Sequence, residues 1–223
     1  HDMILEKALC YINKNSDAPF FLYYAPTLPH AELLVPNNDF GDYDGKFNEI
    51  PFKQGNTTYG DQPRPRAAYA AMVSRLDYAV GEILKKLQEK GVLQNTIVMF
   101  SSDNGVHHEG GHDAEYFNSN AEFRGTKRDL YEGGIRTPFI VRWDNHITGG
   151  TTSNHVSAFW DFMPTVAEVL NIKAADGCDG ISLLPSLTGK GEQKEHDYIY
   201  HECYEQGGKQ SIIKDGWKLV RLN

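Results

Sequence analysis

Asp103 and Asn104 are two adjacent side chains that offer hard oxygens. They follow an apolar, β-branched run, Thr96-Ile97-Val98-Met99-Phe100, which reads as a buried strand. The run stops at Ser101-Ser102-Asp103-Asn104-Gly105, a cluster of turn-forming residues. In open α/β sheets, ligands gather beyond the carboxyl ends of the strands. Oxygen donors of this type suit calcium or magnesium. From these residues alone, a plain Asp-Asn-Gly turn is the competing reading. His30 has a similar placement. The aromatic run Phe20-Phe21-Leu22-Tyr23-Tyr24-Ala25 reads as a buried strand, and it ends at Pro26-Thr27-Leu28-Pro29-His30. The bland alternative there is a solvated histidine in a turn.

Two further segments carry chemistry. His107-His108-Glu109-Gly110-Gly111-His112-Asp113 contains a literal H-E-x-x-H, the zinc-protease pattern. That pattern needs a helix to put both histidines on one face. Here both spacers are glycine, each costing about 1 kcal/mol against alanine in a helix. A loop lining a pocket is expected instead, with His107, His108 and His112 as ligand contacts. Next comes Phe123-Arg124-Gly125-Thr126-Lys127-Arg128-Asp129-Leu130-Tyr131-Glu132-Gly133-Gly134-Ile135-Arg136. Its basic residues, Arg124, Lys127, Arg128 and Arg136, stand out in an acidic chain. Lysine is a compact point charge suited to a sulfate or phosphate oxygen, and arginine forks onto two oxygens. An anion-binding loop and a charged surface loop are both open readings.

The elements that must hold these residues follow from periodicity. Ile4, Leu5, Ala8, Leu9 and Ile12 predict a helix over 4–14, with Cys10 in the core. Residues 31–66 have little periodicity, and long loops of this kind are often functional. They contain the formal glycosylation sequon Asn56-Thr57-Thr58. Residues 67–90 predict the clearest helix, with Met72, Val73, Leu76, Val80, Ile83, Leu84 and Leu87 as its stripe and Gly91 as its stop. The order helix, strand, helix, strand implies parallel strands covered by helices. Asp161–Leu170 predicts another helix, with Pro164 in its first turn. From residue 196 on, short strands and an Asp215-Gly216 turn suggest a small antiparallel unit.

Composition bounds the partners. The chain has 223 residues, 40% of them hydrophobic, which is enough for a core. A net charge of -8 argues against nucleic acid. No apolar run is long enough to span a membrane. The three cysteines have no CxxC spacing, so neither a zinc knuckle nor a redox pair is supported. His1-Asp2-Met3 reads as an internal cut or a cloning remnant, and no signal peptide is visible.

In order along nearly the whole chain, these segments resemble the sulfatase family of the alkaline-phosphatase-like superfamily. Pro19-Phe20-Phe21-Leu22-Tyr23 with Pro29-His30 is similar to the family's strand leading to an active-site histidine. Phe100-Ser101-Ser102-Asp103-Asn104-Gly105 is similar to its metal-binding Asp-Asn-Gly, and Lys127 before Glu132-Gly133-Gly134 falls at its active-site lysine. Asp161 with Pro164-Thr165, and Ile213-Lys214-Asp215-Gly216-Trp217-Lys218-Leu219, fit as well. The resemblance implies an α/β fold with a mostly parallel sheet and helices on both faces. It implies a partial catalytic domain over 1–195 and the beginning of a C-terminal antiparallel subdomain over 196–223. It implies that Asp103 and Asn104 are ligands of one calcium, with magnesium as the alternative. It further implies that Lys127 and His30 contact the sulfate ester, and that a hydrated formylglycine attacks sulfur. Arg124, Arg128 and Arg136 are then candidate substrate contacts.

Departures from the pattern matter. None of Cys10, Cys178 and Cys203, and no serine, opens a C-x-P-x-R match, so the nucleophile segment is not in this chain. The expectation is the later half of a sulfatase, inactive by itself. A phosphatase or phosphodiesterase of the same superfamily is the first rival, and a non-catalytic carbohydrate-binding module the second. The expected substrate is a sulfated saccharide, of galactosamine type, because Tyr116, Phe117 and the histidines suit a sugar ring. An aryl sulfate is the broader class, and the family's habit points to a periplasmic, secreted or lysosomal setting.

Overall fold

The computed structural model describes residues 1–36, 39–55 and 57–222, so Asn56 of the sequon lies outside the described residues. In chain order the helices are α1 (Asp2–Asn15), α2 (Pro65–Glu89), α3 (Glu132–Ile135), α4 (Phe162–Val169) and α5 (Leu184–Thr188). The strands are β1 (Val98–Ser101), β2 (Phe139–Arg142), β3 (Ile199–Cys203), β4 (Lys209–Lys214) and β5 (Trp217–Leu222).

α2 is the spine. Pro65 opens it, where a missing N–H costs nothing. The Glu49 carboxylate accepts the N–H groups of Arg66 and Ala67, both at 2.9 Å, so an anion from the preceding loop caps the positive end of the helix. Gly91, at φ +70°, takes the left-handed conformation that ends it. Its first turns bury the small side chains Ala67, Ala68 and Ala71 beside Met72. Small residues let the 31–66 loop come close, and Leu33 and Phe40 of that loop complete this core. Val73, expected on the buried stripe, is therefore turned outward. A second core joins Ile12 of α1, Leu87 of α2 and Leu93, with Phe20, Leu22 and Val98 against it. Cys10, expected in the core, is exposed, because α1 buries only Ala8 and Ile12.

β1 pairs antiparallel with β2, from Val98↔Arg142 to Ser101↔Phe139. This differs from the parallel neighbour implied by element order. Residues 102–138 return to the sheet without a long crossover helix, and only parallel neighbours need one. Residues 20–25 are extended but pair with no strand among the described residues. Their side chains alternate: Phe20, Leu22 and Tyr24 are half-buried, whereas Phe21 is 65% and Tyr23 81% exposed. β3, β4 and β5 form a separate antiparallel sheet. Its β4–β5 turn is Asp215-Gly216 at φ +49° and +77°, the double left-handed pair that a tight hairpin requires. α4 begins at Phe162, which leaves Pro164 in the first turn as expected.

Candidate active site

Backbone hydrogen bonds assemble the site. The Gly105 N–H donates to the Gly134 carbonyl at 2.8 Å, and the Lys127 N–H to the Val106 carbonyl at 2.6 Å. The Gly133 N–H donates to the Arg124 carbonyl at 2.8 Å. Gly105 is required by this close approach, since a Cβ there would lie 1.9 Å from the Gly133 carbonyl oxygen. The Asp-Asn-Gly turn and the segment carrying Lys127 are thus interlocked.

His30 reaches the same place from the other end of the chain. Its turn is closed by the His30 N–H on the Thr27 carbonyl at 2.8 Å. Leu28 and Leu33, on either side, are buried against α2 and fix its position. Lys127 Nζ donates to His30 Nε2 at 2.9 Å, and His30 Nδ1–H donates to the Ala31 carbonyl. An ammonium has donors only, so Nε2 must hold its lone pair and the proton must sit on Nδ1. The imidazole is neutral in this arrangement, with its side chain 46% exposed.

Glu109 faces both groups. Its Oε2 lies 3.8 Å from Lys127 Nζ and 4.0 Å from His30 Nε2, and it accepts the Tyr59 hydroxyl at 3.2 Å. Oε1 accepts Arg128 Nη1 at 2.5 Å. Partial burial pushes the Glu109 carboxyl up, but the Arg128 hydrogen bond and the Lys127 and Arg128 charges outweigh this and hold it below the ordinary carboxylate range. Arg128 Nε also pairs with Glu205. The Arg128 backbone is left-handed, at φ +76°, a strained state for a side-chain-bearing residue. Lys209 of β4 donates to its carbonyl at 3.1 Å, to Asp129 Oδ1 at 2.9 Å and to Gln206 Oε1 at 2.8 Å. Lys218 of β5 pairs with Glu132 at 2.6 Å. The C-terminal sheet therefore grips the loop just after Lys127, at Arg128, Asp129 and Glu132.

The other expected contacts divide. His107 is buried, with Nδ1 accepting the Glu109 N–H at 3.0 Å and Nε2 on the Pro29 carbonyl at 3.3 Å. It ties the His30 turn to the Glu109 loop, and no ring nitrogen is left for substrate. Desolvation lowers its pKa, in keeping with a neutral ring. His112 is 4% exposed and stacks on Tyr69 at 3.6 Å. Neither of its ring nitrogens has a hydrogen-bond partner among the described residues, and burial takes its pKa down to about 3. Both histidines, expected as ligand contacts, are buried in the wall of the loop cluster. His108 is exposed, 3.5 Å from Glu115 Oε1. The H-E-x-x-H residues lie outside any helix, and their histidines point apart. Arg124 stacks over Tyr131 at 4.0 Å and Arg136 over Phe123 at 4.6 Å. Arg124, Phe123 and Tyr131 line a cleft of about 420 Å³ against Lys218 and Val220 of β5, and that lining does not include His30, Lys127 or Asp103. Of the arginines, Arg128 alone meets the His30–Lys127 pair through Glu109. Glu109 and Tyr59 were not singled out from the sequence. The only signal was a carboxylate between the Asp-Asn-Gly turn and the basic loop.

Asp103 is exposed and Asn104 half-buried, and neither side chain has a partner among the described residues. Two free oxygen donors suit one side of a hard-cation site, whose shell takes about six to eight oxygens. Among the described residues, no group of three or more His, Cys, Asp or Glu is placed to complete one. The fit is for part of a shell.

An α/β scaffold that gathers hard-oxygen donors, a lysine and a histidine in one loop cluster defines the alkaline-phosphatase-like class of anionic-ester sites. The Sulfatase family model matches residues 1–172, and the chain belongs to that family. It is 30% identical to mouse (Mus musculus) steryl-sulfatase over 204 residues, covering 90% of this chain and 29% of that protein. It is 30% identical to mouse N-acetylgalactosamine-6-sulfatase over 191 residues, covering 82% and 31%. The crystal structure of Ps i-CgsB in complex with k-i-k-neocarrahexaose superposes with a TM-score of 0.79 at 26% identity, over 100% of this chain and 46% of that one. The expected alkaline-phosphatase-like fold class is the one this structural neighbour supports, although the strand pairs among the described residues are antiparallel. The chain spans about a third of the length of these curated relatives. No helix among the described residues is long and apolar enough to cross a membrane.

Proposed function

We propose that this chain is the part of a sulfuric ester hydrolase that holds the sulfate and the leaving oxygen, working within a longer polypeptide that supplies the nucleophile. The observation that carries the reading is the 2.9 Å contact of Lys127 with His30, groups 97 positions apart, beside the Asp103–Asn104 turn. Lys127 uses its other Nζ protons on sulfate oxygens and neutralises charge as it builds there. The Lys127–His30 pair is also a proton source for the departing alcohol oxygen, since His30 Nε2 already receives a Lys127 proton in a hydrogen bond. His107 and the buried Leu28 and Leu33 keep the His30 turn in place during this exchange. Asp103 and Asn104 would hold a calcium or magnesium ion, with the remaining ligands and the formylglycine coming from outside this chain. When bound, the ion supplies Lewis acidity toward the sulfate. The favoured substrate is a sulfated saccharide, in line with N-acetylgalactosamine-6-sulfatase and the neocarrahexaose complex among the similar proteins.

The test is an assay of the full-length protein on matched sulfate and phosphate esters, with and without calcium, beside its Asp103→Ala variant. Calcium-dependent sulfate release that the variant loses is the expected result. Phosphate release with zinc moves the protein to the phosphatase branch. Hydrolysis of neither ester, with formylglycine present by mass spectrometry, leaves a binding role.

A further inference from the structure

Glu109 is a carboxylate set where an anionic ester must bind. A like charge beside a sulfate costs binding free energy unless it does something for the substrate. Neutralising Arg128 accounts for only part of it, because Arg128 also pairs with Glu205 through Nε, and Lys127 stands 3.8 Å from the other oxygen. The two oxygens of Glu109 are used unequally. Oε1 is spent on Arg128, while among the described residues Oε2 receives a hydrogen bond only from the Tyr59 hydroxyl. Lys127 and His30, at 3.8 and 4.0 Å, stand beyond hydrogen-bond reach of Oε2. An ionised carboxylate offers about four acceptor positions and no donor. Oε2 therefore presents unused acceptor capacity beside the Lys127–His30 pair, where the sulfatase reading puts the ester. An alcohol that carries a hydroxyl on the carbon next to the sulfated one brings a donor within one hydrogen-bond length of that oxygen. A flat aryl group or a sterol brings none, and would cover the remaining lone pairs of Oε2 without supplying a donor.

We propose that Glu109 Oε2 accepts a hydrogen bond from the hydroxyl vicinal to the sulfate, and so selects sulfated saccharides over aryl or steryl sulfates. This rests on the sulfatase reading above and names its substrate class. Tyr59, from the 31–66 loop, aims the carboxylate by donating to the same oxygen. The loop thereby contributes to selection rather than to turnover.

The experiment compares two substrates in the full-length protein: a sulfated monosaccharide with a free vicinal hydroxyl, and its deoxy analogue lacking only that hydroxyl. The wild type is expected to favour the hydroxyl substrate in kcat/KM by about 10- to 100-fold, the worth of a hydrogen bond to a charged group. In the Glu109→Gln variant that ratio falls toward one, whatever happens to the overall rate. Glu109→Asp, which withdraws the carboxylate by one methylene, serves if the glutamine variant does not fold, and its ratio falls too. A wild-type ratio near one overturns the proposal. So does a ratio that survives in the variants, because a residue that only positions Lys127 lowers both substrates together. If the wild type releases no sulfate from any ester, the sulfatase reading fails first and this proposal falls with it. Sulfate release without the ratio sinks this proposal alone.

Discussion

At the scale of single residues, charge placement decides function and burial decides stability. Among the described residues, Lys127 is the one ammonium within hydrogen-bond distance of His30. Lys127→Met in the full-length protein is expected to lower kcat/KM on a sulfate ester by about 10²–10³-fold, the loss typical of removing one preorganised charge-stabilising donor. Steady-state kinetics checks this, and a loss confined to KM would mean that Lys127 binds substrate without stabilising the transition state. His112 shows the opposite use of a histidine. Its ring is buried and its nitrogens have no hydrogen-bond partner among the described residues, so its pKa in the fold, about 3, lies below the ordinary value of 6.5. Between those values the unfolded chain binds the proton that the folded chain refuses. Stability is thus complete above about pH 6.5 and is lost as pH falls toward 3, by up to about 1.4 kcal/mol per pH unit. His112→Leu removes the titrating group at similar volume. Urea unfolding followed from pH 7 to pH 4 is expected to show a shallower acid decline in that variant. An unchanged slope would place the acid sensitivity elsewhere, with the half-buried His201, whose pKa desolvation also lowers, the next group to examine.

At the scale of elements, the site is a joint between loops rather than a feature of any helix. Gly105 and Gly133 touch through their backbones, so Gly105→Ala must push the Asp103–Asn104 turn away from Lys127. That variant is expected to lose about 3 kcal/mol or more of stability, the range of severe steric strain, together with activity. Thermal unfolding and turnover measured side by side check it. The C-terminal sheet acts on the same joint from behind. Lys209, with its side chain 10% exposed, satisfies the Arg128 carbonyl and the Asp129 carboxylate at once. Lys209→Met leaves both acceptors without their donor while keeping the aliphatic stem. The expected cost is about 1–3 kcal/mol, with a fall in kcat because the loop carrying Lys127 loses its restraint. A stability loss without any fall in kcat would show that β4 supports the fold and not the geometry of the site.

At the scale of the whole molecule, what was legible in the sequence is what local chemistry fixes. The α2 stop follows from Gly91, the β4–β5 turn from Asp215-Gly216, and the non-helical H-E-x-x-H from its paired glycines. The meeting of Lys127 with His30 was legible only through the family resemblance, because no local rule joins residues 97 positions apart. The sense of the β1–β2 pairing, the burial of His107 and His112, and the position of Glu109 were not legible. Each depends on how distant loops fold back, which short-range periodicity does not encode. The same limit bears on the metal. Asp103 and Asn104 offer two donors, and no further cluster among the described residues stands ready to complete the shell. Calcium affinity comes from the number of oxygen ligands and their rigidity, so two neighbouring side chains with solvent for the rest bind weakly. Titration of calcium into the 223-residue chain is expected to give a Kd of about 1 mM or weaker, and the full-length protein a far tighter one. Calorimetry on both, each beside its Asp103→Ala variant, decides the matter. Binding by the 223-residue chain tighter than about 10 μM, abolished by the substitution, would mean that this portion builds a whole calcium site by itself. The division of labour proposed here, with nucleophile and remaining ligands supplied from outside the chain, would then have to be redrawn around Asp103.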